Sequence, residues 1–292
     1  MPAAASSEAT ISMQRPGLFI QRPGARLTVS IACIAPQSRP IAHRHRQPPI
    51  PRRPSLSQTH SLLDTIWDSF VPVHRDGHKF VAAGLIATLL MFILWAPLGW
   101  VLAIVTGWIA YFFRDPDRVT PLREGLVVAA ADGRVSSIER VKPPAELGLG
   151  TEERVRVSTF LSVFDVHIQR SPIPGRIVRA LYVPGAFLNA ALDKASEDNE
   201  RRALVLQPAA GVEIATVQIA GLIARRIVTF VHEGDNLAVG QRYGLIRFGS
   251  RVDVYLPPGK TALVSVGQRT IGGETVIADL KSTEPEREAR RN

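Results

Sequence analysis

Cysteine is almost missing from this 292-residue chain: Cys33 is the only one. Neither a disulfide framework nor a cysteine-based metal site can be built from it, which suits a reducing compartment without requiring one. Acidic residues are equally scarce at the start. Residues 1–60 hold eight arginines, no lysine and one acid, Glu8. That segment supplies +7 of the formal net charge of +9, leaving +2 for residues 61–292. The basic balance therefore belongs to a tail. No nucleic-acid-binding motif accompanies it, so no nucleic-acid partner is expected. No apolar run follows the charged start, so no secretory signal is expected. No internal repeat is visible. Finally, charge of either sign is absent from Phe80 to Phe113, a run of 34 residues.

The composition changes three times along the chain. Residues 1–60 are rich in Pro, Arg, Ser and Ala, and Pro48-Pro49-Ile50-Pro51-Arg52-Arg53-Pro54 cannot lie inside a helix. This region reads as a disordered basic tail. Its makeup resembles a transit peptide superficially; a dispensable tail or a start codon placed upstream are the plainer readings. Residues 61–118 form a second region. Leu62, Leu63, Ile66, Trp67 and Phe70 are spaced for one amphipathic face. Pro72 and Gly77 then predict a break, which would keep His74 and His78 off one regular helical face, so a metal site is not expected.

The uncharged run 80–113 would span about 51 Å as one straight helix, against roughly 30 Å of hydrocarbon in a bilayer. Pro97 and Gly99 near its middle predict a helical hairpin. Arg75 and Lys79 precede it, and Arg114 and Arg118 follow it, so both ends are expected on the cytoplasmic side of the cell membrane. Whether such a hairpin spans, dips in or lies at the surface stays open.

From residue 119 to 282 the chain breaks into short strand-like runs with Gly/Pro turns, including 126–131, 154–166, 212–219, 252–256 and 262–266. That spacing predicts a β-rich barrel or sandwich. A short helix is expected within 188–196. The fold class is thus α+β, mostly β, with an N-terminal hydrophobic hairpin and a charged tail over 283–292.

The centre of this third region is Gly240-Gln241-Arg242-Tyr243-Gly244-Leu245-Ile246-Arg247-Phe248-Gly249-Ser250-Arg251-Val252-Asp253-Val254-Tyr255-Leu256-Pro257. Glycine tolerates a strained backbone and the close approach of another group. A serine hydroxyl beside that carbonyl suits attack on its own preceding peptide bond. Gly-Ser alone usually marks a turn or bulge, but the longer string resembles the self-cleavage region of phosphatidylserine decarboxylase proenzymes of the short bacterial and archaeal type. Five other stretches resemble that family in order: Arg114-Asp115-Pro116, Ala131-Asp132-Gly133, Leu161-Ser162-Val163-Phe164-Asp165-Val166-His167, Tyr182 through Ser196, and Ile219 through Val228. The likeness runs over roughly residues 70–257.

The resemblance implies a role for each matching residue. Ser250 is the nucleophile, His167 its base, and Asp132 the group that orients His167, with Asp165 as the rival orienter if 165–167 is a regular strand. A serine hydroxyl needs such a base, and the base needs an orienting partner. Cleavage between Gly249 and Ser250 would leave a β chain, 1–249, and an α chain, 250–292, forming a heterodimer alone or within a higher oligomer. Ser250 would become a pyruvoyl group, the only cofactor required. The implied activity is decarboxylation of membrane phosphatidylserine to phosphatidylethanolamine through a Schiff base. Arg247, Arg225, Arg226 and Lys194 are candidates, from charge alone, for binding the lipid phosphate or carboxylate. Two other readings fit parts of the pattern: a non-catalytic membrane-tethered adaptor, and a pyruvoyl enzyme acting on a soluble amino acid.

Overall fold

A computed structural model describes residues 71–185, 199–208, 211–221, 226–247, 249–287 and 289–290. The expected tail, the amphipathic segment at 61–70, the helix at 188–196, and the candidates Lys194 and Arg225 lie outside the described residues.

Two antiparallel helices open the described chain: α1, Arg75–Leu94, and α2, Ala96–Phe112. They are about 30 and 26 Å long at 1.5 Å per residue. The turn falls at Trp95, which is extended (φ −159°, ψ 97°), and a proline occupies the first turn of α2. There it has no intrahelical hydrogen bond to lose. Small residues let the helices close. A Cβ added to Gly84 would lie 2.6 Å from Thr106, and one added to Gly99 would lie 2.6 Å from Phe92. Thr88 and Thr106 share a buried hydroxyl–hydroxyl hydrogen bond of 3.3 Å across the pair.

The outer surface of the hairpin is apolar and uncovered: Ile86, Leu89, Ile93, Trp95, Trp100 and Ile104 are all more than 60% exposed. The break expected around Pro72–Gly77 is instead the start of α1. His74 caps it, its Nδ1 accepting the Asp76 N–H at 3.3 Å, and His78 bonds the Val73 carbonyl through Nε2 at 2.9 Å. No cluster able to hold a metal occurs among the described residues.

Among the described residues after the hairpin, one 3-10 turn, Ala145–Leu147, interrupts a set of strands that all pair antiparallel. One sheet has eight strands in the order β12-β2-β3-β11-β7-β6-β5-β9. Their ranges are β2 Gly133–Val141, β3 Arg154–Leu161, β5 Gly175–Val183, β6 Arg201–Gln207, β7 Ile214–Ala220, β9 Asn236–Leu237, β11 Ser250–Tyr255 and β12 Arg269–Thr270. A three-stranded sheet, β4-β10-β8, joins Ile168–Arg170, Arg242–Ile246 and Ile227–Thr229. A two-stranded sheet pairs β1, Leu126–Val128, with β13, Val276–Asp279. The expected fold class, mostly β with a helical hairpin, is borne out.

β11 lies inside the large sheet, with six registered pairs to β3 on one side and six to β7 on the other. Both its faces are covered. Val252 and Val254 join the main core with Val157, Leu161 and Leu206. Tyr255 joins a second cluster with Leu147, Val217 and Ile219. The same face buries Arg251 and Asp253, whose side chains pair at 2.9 Å. Each buried aliphatic chain contributes about 1.5–3 kcal/mol, so the strand carrying Ser250 is among the best-held parts of the fold.

Two expected strands are corrected. The run 154–166 ends as a strand at Leu161, because Asp165 Oδ2 accepts the Ser162 N–H and hydroxyl at 2.9 and 2.8 Å and closes a turn. Residues 262–266 are irregular. Ala262 and Val264 are buried and Val266 is exposed, so the alternation reflects real burial, but the segment belongs to none of the three sheets.

Candidate active site

Ser250 is the first residue of β11 and pairs with Leu161 and Ala220. Its side chain is fully buried, and its hydroxyl has no hydrogen-bond partner among the described residues. Buried polar groups are nearly always bonded; the Ser158 and Thr229 hydroxyls are also unpartnered among these residues, and what sets Ser250 apart is its place directly after Gly249, whose N–H His167 holds. A hydroxyl committed to no structural bond is free to act as a nucleophile. Gly249 before it has φ +61°. A side chain in that left-handed region costs about 1–2 kcal/mol, although the space around its Cα is open.

His167 immediately precedes β4 and is also fully buried. Its Nδ1 is 2.9 Å from the Asp165 main-chain carbonyl. A carbonyl can only accept, so Nδ1 carries the proton and Nε2 keeps its lone pair. That lone pair accepts the Gly249 N–H at 3.3 Å. Burial pushes the imidazole pKa down to about 4, against weaker support for the charged form from Asp165. At neutral pH the ring is therefore uncharged, with its basic nitrogen on the backbone of Gly249, the residue before Ser250. Gln169 Nε2 donates to the His167 carbonyl at 2.9 Å. Gln218 Nε2 donates in turn to Gln169 Oε1 at 2.8 Å. This pair of buried amides ties the histidine to β7.

Neither proposed orienting carboxylate bonds the imidazole. Asp132 accepts from Arg118 Nη2 at 2.7 Å and from the Gly272 N–H at 2.8 Å. Its pKa is raised by burial, with Arg118 opposing. Asp165 Oδ1 takes Arg269 Nη2 at 2.8 Å, and its Oδ2 closes the turn described above. The orienting group is the main chain of Asp165. The glycine after Asp132 is forced: at φ +152° an added Cβ would stand 2.2 Å from the Phe160 carbonyl oxygen.

Arg247 is half-buried at the base of the hairpin, its guanidinium 5.2 Å from the centre of the Phe80 ring. Lys79 lies 5.3 Å from the same ring. Arg226 is exposed, and its carbonyl accepts the Arg247 N–H at 3.3 Å. The arginines of Arg114-Asp115-Pro116-Asp117-Arg118, expected only as basic flanks of the hairpin, also reach the site. Arg114 donates to the Phe164 carbonyl at 2.8 Å, and Arg118 holds Asp132. A cavity of about 1080 Å³ opens elsewhere, lined by Gly175, Val212, Pro257 and Pro258. It lies past the Tyr255 end of β11, roughly 17 Å of strand from Ser250, and shares no residue with this site.

The phosphatidylserine decarboxylase family model matches residues 105–278, a span that holds Asp132, His167, Gly249 and Ser250. The chain belongs to the phosphatidylserine decarboxylase family. A phosphatidylserine decarboxylase proenzyme of Nitrobacter winogradskyi is 54% identical over 239 residues, covering 81% of this chain and 97% of that protein. One of Cereibacter sphaeroides is 57% identical over 225 residues, covering 77% and 97%. The family is one of carboxy-lyases, and the relatives are named as precursors. Membership favours neither the adaptor reading nor an enzyme of soluble amino acids.

Proposed function

We propose that this chain is a self-processing phosphatidylserine decarboxylase that works on lipid at a membrane surface. The observation that carries the reading is the buried, unbonded Ser250 hydroxyl next to a peptide unit held by the lone pair of His167. As the long Gly249 N–H contact at Nε2 opens, that lone pair takes the Ser250 proton and His167 acts as general base. Ser250 Oγ attacks the Gly249 carbonyl, the C–N bond breaks, and the amide becomes an ester with the Ser250 nitrogen freed as an amine. Loss of the Ser250 Cα proton then expels the Gly249 carboxylate. The dehydroalanine left behind takes up water and releases ammonia, leaving a pyruvoyl group at the head of the 43-residue chain 250–292.

The site fits that group, since the serine it derives from commits its hydroxyl to no other partner. Once formed, the pyruvoyl supplies an electron sink for the electrons released with CO2. The chain's own residues supply the rest. β3 and β7 grip the new terminus from both sides, which would also keep the two fragments together as a heterodimer. Neutral His167 is placed to pass protons at the site. Arg247 and Arg226 offer positive charge to the lipid phosphate or carboxylate, and the uncovered apolar hairpin gives the enzyme a seat in the bilayer. α1 alone is long and apolar enough to cross a membrane among the described residues. The basic residues flanking the hairpin favour a cytoplasmic catalytic domain.

Intact-mass spectrometry of wild type beside Ser250→Ala tests the reading. Wild type should resolve into a 1–249 chain and a short chain blocked by a pyruvoyl, while the variant stays whole. A wild type that remains one chain in a membrane mimetic would overturn it.

A further inference from the structure

The hairpin does more than reach towards lipid. Its last helical residue, Phe112, is fully buried. The Phe112 ring lies against the His167 imidazole, with centroids 4.3 Å apart and planes at 35°. Phe112 and Phe113 share one apolar cluster with Val166 and Ile168, the residues on either side of His167. Phe80, Trp108 and Ile109 of the hairpin pack on the same cluster.

This end of α2 is fastened both to the start of α1 and to the β-domain. The His74 N–H donates to the Phe113 carbonyl and the Asp115 N–H to the Pro72 carbonyl, both at 2.8 Å. Arg114 bridges the Tyr111 and Phe164 carbonyls at 2.8 Å each. The Asp115 carboxylate takes Arg242 at 2.8 Å and Arg170 at 3.3 Å. Phe112 is thus pressed onto the imidazole by a rigid mounting.

We propose that Phe112 is a positioning residue for His167, so that the membrane hairpin completes the processing site and processing depends on the hairpin being seated. The inference rests on the functional reading above. An aromatic ring against an imidazole excludes water and fixes the ring plane, and a desolvated imidazole favours its neutral form. The charged groups around His167 pull in both directions. Asp165 favours the imidazolium, and its carboxylate is partly satisfied by Arg269. Arg114, at the foot of the hairpin, disfavours it. The Gly249 N–H occupies Nε2. The apolar cover is the factor that one substitution can remove without touching these groups.

The test uses the full-length protein in lipid nanodiscs, held as precursor by Ser250→Ala. The rate at which diethyl pyrocarbonate modifies His167 is followed by mass spectrometry across pH. Phe112→Ala should raise that rate about tenfold and move its midpoint up by at least one pH unit. Phe112→Leu, which keeps an apolar cover, should stay close to the parent. Ile109→Ala, in the same helix and cluster, should lower stability without moving the midpoint. In the serine-containing protein, Phe112→Ala should shift the acid limb of the self-cleavage rate by the same amount. Overlapping profiles for Phe112→Ala and its parent would overturn the proposal, as would Ile109→Ala shifting the midpoint equally. If Phe112→Ala does not fold, Phe112→Leu set against Phe112→Gln decides, the polar replacement alone moving the midpoint. Should wild type never cleave, the functional reading fails, yet the modification rates still decide the role of Phe112.

Discussion

The Nε2 lone pair of His167 receives the backbone N–H of Gly249 at 3.3 Å, across 82 residues of chain. The imidazole is therefore engaged with Gly249, one position before the buried Ser250 hydroxyl, as the proposed self-cleavage requires. Replacing His167 by Ala should leave Ser250 without a proton acceptor and slow self-cleavage by about 100- to 10,000-fold, the usual value of a general base. Time-resolved gel analysis of newly made precursor measures this. Cleavage at the wild-type rate would remove His167 from the role.

Asp132 should behave as one half of an ion pair. Its carboxylate and Arg118 are only 13% and 12% exposed, and breaking a shielded pair strands the remaining charge at a cost of about 3 kcal/mol. Asp132→Asn and Arg118→Gln should each lower thermal stability. The double variant should fall well short of the sum, by about 1–3 kcal/mol of coupling. Additive losses would mean that the pair does not act as a unit.

Acid should weaken the precursor through His167. Its folded pKa, about 4, lies below the ordinary value near 6.5, so the unfolded chain binds the proton more readily. The neutral ring's contribution is complete above pH 6.5 and is lost as pH falls towards 4, by about 3 kcal/mol in all. Urea unfolding of Ser250→Ala at pH 7.0, 5.5 and 4.5 should show this loss, and His167→Gln should flatten it. Identical pH dependence in the two proteins would refute the assignment.

Gly249→Ala probes the left-handed conformation just before the proposed cleavage point. Open space surrounds its Cα, so the variant should fold, with a loss of about 1–2 kcal/mol from backbone strain. Precursor cleavage should slow as the peptide unit relaxes away from His167. Wild-type kinetics together with wild-type melting would show that the conformation is unimportant.

Arg247→Ala should weaken lipid use more than chemistry. Removing the cation beside Phe80 is expected to raise KM for phosphatidylserine in vesicles several-fold with kcat little changed, and to flatten the salt dependence. A fall in kcat alone would place Arg247 elsewhere in the reaction.

Local pattern alone determined a good deal of this protein. Thirty-four uncharged residues broken near Pro97 are a hairpin because chain length and backbone hydrogen bonding leave few other choices. Gly249–Ser250 stands out because glycine permits a backbone that other residues resist. The β-rich character followed from turn chemistry at short intervals. What tertiary structure decided is everything that joins distant residues or uses the main chain. β11 lies between β3 and β7, and no local pattern records strand order. Asp132 was expected to hold His167 but pairs with Arg118, because a carboxylate goes to whichever cation the fold brings within reach. The group that does orient the imidazole is the carbonyl of Asp165, which every residue type carries and no residue identity can reveal. Phe112 reads as one more apolar residue in an apolar run. Only the folded chain, by closing the base of the hairpin against β4, places that ring on His167.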